Sequence, residues 1–164
     1  MLHFDCDYME GAHPEVMRRL VETNLEQTPG YGCDPYTARA CELIRRECGA
    51  PDAEVHLLVG GTQTNATVID GVLRRHEGVL AAESGHINVH EAGAIEAAGH
   101  KVLVLPQHDG KVRATDVERY LDTFYRDETC DHMVFPGMLY VSHPTEFGRS
   151  EERRVGKECR KRGG

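Results

Sequence analysis

From Val55 onward the sequence alternates short apolar runs of strand character with segments of helical spacing, and this alternation restricts the fold more than any other feature. Val55, Leu57 and Val59 alternate, which predicts a short strand, and Gly60-Gly61-Thr62 leads from it into a helix bearing Ala66, Ile69, Val72 and Leu73. Gly78 to Ala82 predicts a second strand, Val89 to Ala98 a helix closed by Gly99, and Lys101 to Leu105 a strand stopped by Pro106. After a turn at Asp109-Gly110, Thr115 and Glu118 predict a capping box for a helix whose Val117, Tyr120, Leu121 and Phe124 form the buried face. Met138 to Val141 predicts a last strand. Strands and helices in this order call for an α/β layer, a mostly parallel sheet flanked by helices. Two helices precede it. One follows His13-Pro14 with Val16, Met17, Leu20 and Val21 on one face; the other is capped by Asp34, opens on Pro35 and runs with Ala40, Leu43 and Ile44 to Gly49.

Charge divides the chain differently from length. The 164 residues carry 19 Lys+Arg and 27 Asp+Glu, a net charge of -8. The stretch from Arg149 has almost no apolar residue, and its run from Arg149 to Cys159 back-translates into a widely used sequencing-adapter oligonucleotide. Residues 149–164 therefore read as a non-native tail, and 1–148 as an N-terminal arm with part of a larger domain. The tail holds seven Lys+Arg and three Asp+Glu, which leaves 12 basic and 24 acidic residues and a charge of -12 over 1–148. That acidity argues against a nucleic-acid partner, which wants clustered Lys and Arg. No apolar run reaches a bilayer's thickness and no leader-like start is present, so the expectation is a cytoplasmic protein with no membrane partner. Six cysteines without C-x-x-C spacing predict reduced, mostly buried thiols rather than a disulfide framework or metal site.

Two stretches have the composition of a site. A Gly-rich turn into a helix offers free N–H groups and a favourable dipole to an anion, and Gly60-Gly61-Thr62-Gln63 has that form; the alternative is a tight turn with Thr62 as an ordinary N-cap. The Lys of a Walker loop is missing. His86 and His90 are four apart, so on a helix they share a face, but no third metal ligand accompanies them. His86 alone, just past a strand's carboxyl end, could instead stack on a flat ligand, and a plain polar helix start is the third reading. Ser142-His143-Pro144-Thr145-Glu146 also follows a strand, but no G-x-S-x-G elbow accompanies it.

Asp5-Cys6-Asp7-Tyr8, Gly30-Tyr31-Gly32-Cys33-Asp34-Pro35, Gly61-Thr62-Gln63-Thr64-Asn65 and His86 to Gly93 together resemble, in order and spacing, the low-specificity L-threonine aldolases. These belong to the β-eliminating lyases, pyridoxal-phosphate enzymes of the aspartate-aminotransferase type of fold (fold type I). The resemblance spans Met1 to Gly148. It implies that Gly61 and Thr62, with Gly60 and Gln63 adjacent, hold the phosphate of pyridoxal 5'-phosphate. His86 would stack on the pyridine ring and serve as a catalytic group. Cys6, standing where the family has Ser, and Tyr31 would face the amino-acid substrate. A further family histidine corresponds to either His143 or Glu146. The family's Schiff-base lysine, pyridinium-binding Asp and substrate Arg have no counterpart here; Lys101 and Lys111 lack its Ser-Lys context.

The resemblance thus implies a fragment of a homo-oligomeric lyase that splits the Cα–Cβ bond of a β-hydroxy-amino acid into glycine and an aldehyde. The 164-residue chain itself is expected to be inactive and prone to aggregate. Another fold-type I reaction, β-elimination or transamination, and a noncatalytic phosphate-binding α/β module are the alternatives.

Overall fold

The computed structural model describes residues 10–148. They fall into two compact units, one ending at Leu57 and the other beginning at Leu58.

The first unit contains α1 (Pro14–Thr23) and α2 (Pro35–Glu47), each with Pro in its first turn, where the missing N–H costs nothing. The Asp34 carboxylate caps α2, accepting from Thr37 N at 2.8 Å and from the Thr37 hydroxyl at 2.7 Å. Arg45 and Arg46 occupy its last turn, where positive charge suits the helix dipole. The strand expected at Val55, Leu57 and Val59 does not form. Alternation makes a strand only where a neighbour supplies the other half of the ladder, and among the described residues none pairs with this segment.

The second unit runs α3 (Gly61–Val72), β1 (Glu77–Ala82), α4 (His86–Val89), α5 (Ala94–Ala97), β2 (Val102–Leu105), α6 (Ala114–Arg126) and β3 (Phe135–Leu139). The sheet order is β2-β1-β3, and both pairings are parallel, as the alternation demanded. β1 lies in the middle and is buried on both faces. Its Val79 and Ala81 join Ile69, Leu73, Ile87, Ile95 and Val102 in one core. Leu80, facing the other way, joins Leu103 and Leu105 under Val117, Tyr120 and Leu121 of α6. Opposite faces for successive residues, both covered by helices, explain the unbroken apolar run of a central parallel strand.

Three boundaries differ from expectation. The helix foreseen over Val89–Ala98 is two single turns, because Ala92 (φ 50°) and Gly93 (φ 72°) adopt left-handed backbone between them. Thr115 and Glu118 form no capping box. The helix begins two residues earlier, at Ala114 with Arg113 at the N-cap, and the buried Asp116 occupies its first turn, 2.8 Å from His108 Nε2. The last strand starts at Phe135 rather than Met138. Pro136 is tolerated because β3 is an outer strand, and the register slips by one residue at Gly137. Of the four cysteines in the described residues all are free thiols, but only Cys41 is buried, against the expectation that most would be.

Candidate functional site

Because β1, β2 and β3 are parallel, they end at one edge, and α3 enters the unit there. Its last turn leads through residues 73–76 to the start of β1, so its N-terminus lies at the carboxyl edge of the sheet. Asn65 in its first turns accordingly reaches Tyr140, which follows β3, with Nδ2 3.5 Å from the hydroxyl. Gly60 occupies the N-cap position and no side chain caps the helix, which leaves the first-turn N–H groups of residues 61–63 without partners inside the helix. Thr62 is therefore not the cap. Thr64 ties the turn instead, through its N–H and hydroxyl to Gly60 O at 3.0 and 2.9 Å. The Gln63 side chain folds back and accepts from Val59 N at 3.0 Å. Beyond the adjoining backbone, no described residue lies within 4 Å of where a Cβ on Gly60 or Gly61 would stand, so the turn is open on that side.

β1 delivers the second component. Past Ala82 the chain turns, Gly85 N donating to Ala82 O at 2.8 Å, and α4 opens on His86. The His86 ring is 42% exposed, and its Nδ1 lies 2.8 Å from Oε1 of Glu91, a fully buried side chain. Asn65 Nδ2 donates to the same oxygen at 2.6 Å. One carboxylate oxygen thus links the helix that carries the open N-terminus to the histidine. Glu91 Oε2 and Ser84 Oγ are buried without a hydrogen-bond partner among the described residues. The rings of His86 and His90 lie 5.5 Å apart, tilted by 50°. Among the described residues no three His, Cys, Asp or Glu side chains converge as a metal site would require.

Sequence reasoning gave no site role to Glu91, Asn65 or Tyr140. A Glu five residues after a His fits neither helical nor strand periodicity, and it meets His86 only because α4 ends at once. Tyr31 lies in the first unit, fully exposed, with φ 60° and the Cys33 thiol 3.8 Å from its carbonyl. Cys6 lies outside the described residues. In the segment after β3, the Ser142 hydroxyl donates to Glu146 at 3.1 Å, while His143 is exposed.

An open helix N-terminus and a half-exposed histidine at one sheet edge are shared by many folds, and comparison with known proteins decides among them. A family model described as beta-eliminating lyase matches residues 4–133. The chain belongs to the beta-eliminating lyase family. Low-specificity L-threonine aldolases from Pseudomonas aeruginosa and a second Pseudomonas strain are each 26% identical over 147 residues, covering 88% of this chain and 41% of their own length. The solved structure of a Leishmania major threonine aldolase superimposes with a TM-score of 0.82 at 39% identity, over 95% of this chain and 46% of that one. The parallel sheet with flanking helices is thus part of a beta-eliminating lyase fold, and the chain spans less than half the length of these relatives.

Proposed function

We propose that the carboxyl edge of this sheet is the phosphate-gripping and ring-stacking part of a pyridoxal 5'-phosphate site. The protein to which it belongs cleaves the Cα–Cβ bond of a β-hydroxy-amino acid, giving glycine and an aldehyde. The observation that carries this reading is the uncapped N-terminus of α3 beside His86, within a chain similar to threonine aldolases.

The residues fit the cofactor. A phosphate suits the free amides of Gly61, Thr62 and Gln63 and the positive end of a 12-residue helix, and the open space before Gly60 and Gly61 lets it approach the backbone. The exposed Thr62 hydroxyl adds a donor. His86 presents a flat ring and a nitrogen, Nε2, able to hold or release a proton. Bound pyridoxal phosphate supplies an electron sink for the pair left on Cα when the bond to Cβ breaks. The protein's part would be to grip the phosphate at residues 61–63, to offer the His86 ring for stacking, and to take up the β-hydroxyl proton at its Nε2. Lys101 stands at the start of β2, the end of the strand away from this edge, and Lys111 follows the turn whose ends His108 and Lys111 bridge. By the resemblance to threonine aldolases neither lysine has the family's Ser-Lys context, so neither is assigned as the one that bonds the cofactor.

Product analysis tests the reading. A longer protein that carries these residues in its natural frame should turn L-threonine into equal amounts of glycine and acetaldehyde. His86→Asn should lower kcat about 100-fold or more, the usual worth of a positioned proton carrier. The 164-residue chain should release no acetaldehyde, and borohydride reduction with the cofactor should label no single lysine stoichiometrically. Formation of a keto acid and ammonia from serine, with threonine left intact, would transfer the reading to β-elimination.

A further inference from the structure

Glu91 is the buried group that this mechanism does not use. Its side chain is fully buried, yet only one of its two oxygens has partners, Asn65 Nδ2 at 2.6 Å and His86 Nδ1 at 2.8 Å. Burying a carboxylate with an unpaired oxygen is costly, and a neutral amide would bridge Asn65 and His86 at a smaller desolvation penalty. What a carboxylate supplies and an amide does not is a negative charge against an imidazole that takes up a proton.

The geometry also fixes where the proton of the neutral ring resides. Oε1 is an acceptor already taking one N–H from Asn65, so the His86 nitrogen facing it must carry hydrogen. Asn65 lies on α3, two residues beyond the amides assigned to the phosphate, and Tyr140 after β3 lies 3.5 Å from the same Asn65 nitrogen. The carboxylate is therefore held from α3 and cannot follow the exposed ring if it swings out.

We propose that Glu91 is the positioning residue of His86. It holds the ring proton on Nδ1, leaves Nε2 as the nitrogen that exchanges protons at the site, and stabilises the cation that results. This deepens the reading of His86 as the cofactor-stacking group and rests on it. The division of labour is that of a carboxylate orienting a histidine base.

The test reads the imidazole directly, without cofactor. In the full 164-residue chain, uniformly 15N-labelled, long-range 1H–15N spectra at neutral pH should show His86 in the Nδ1–H form, its signal among the ten histidines assigned by its absence in His86→Gln. Glu91→Leu, which removes the acceptor while filling the space, should lose that form in favour of Nε2–H, and Glu91→Gln, which keeps an oxygen there, should retain it. If Glu91→Leu fails to fold, Glu91→Asp, whose shorter side chain withdraws the acceptor, should show the same loss. A wild-type His86 in the Nε2–H form would overturn the proposal, as would an unchanged tautomer in Glu91→Leu or in Glu91→Asp. Because no cofactor is present, the outcome stands apart from cofactor binding. An Nδ1–H ring in a chain indifferent to pyridoxal 5'-phosphate would count against the cofactor reading alone.

Discussion

Asp34 shows how much one side chain decides at the start of a helix. Its two oxygens take the Thr37 N–H and hydroxyl, and these hydrogen bonds hold its carboxyl below the usual carboxylate range. A folded-state pKa below the unfolded one means that the cap's contribution is fully present above the ordinary Asp value, about 4, and is lost as pH falls through the lower folded value. Amide-exchange protection of the first turn of α2 should therefore be flat near neutrality and drop in acid. Asp34→Asn, which can still accept the Thr37 N–H but does not titrate there, should remove that acid-dependent drop. At the same scale, motif reading could give Glu91 no role, because its partners are 26 residues before it, at Asn65, and across a broken helix, at His86.

Among the elements, those legible in the sequence were those whose signals are local. Pro14 and Pro35 open their helices, Asp34 caps, and the apolar runs of β1 and β2 lie where the sheet buries them. The Gly60-Gly61 turn was legible as a helix start, and the proposed anion site uses the same amides. Elements defined by a neighbour were not. Val55 to Val59 has strand alternation and no ladder partner among the described residues. The start of β3 at Phe135-Pro136 was not read as strand, and Ala92 gave no sign of its left-handed backbone. Gly78 ties these effects together in β1. A Cβ there would stand 2.6 Å from the carbonyl of Lys101, just before β2, and 2.9 Å from Val134 Cγ1, and the backbone side of that clash cannot rotate away. Gly78→Ala should cost about 1–3 kcal/mol, read as a lowered midpoint in urea denaturation monitored on the second unit. An unchanged midpoint would mean that β1 and β2 are less closely paired than the parallel register requires.

For the molecule as a whole, the sheet accounts, in the proposed reading, for a cofactor grip held apart from the rest of the machinery. Three parallel strands place α3's N-terminus, His86 and Tyr140 at one edge, and these are the parts that local sequence builds. In the proposed reading, the groups that bond the cofactor and read the substrate are not drawn from this unit. Grip should therefore be separable from catalysis, and the grip should depend on phosphate. The most direct measurement is a 1H–15N titration of the 164-residue chain with pyridoxal 5'-phosphate and, in parallel, with pyridoxal. The expected result is saturable movement of the Gly61, Thr62 and Gln63 amides and of the His86 ring with the phosphorylated compound, and none with pyridoxal at equal concentration. Equal responses to both compounds, or shifts that leave residues 61–63 and His86 untouched, would contradict the assignment of this edge as the cofactor site.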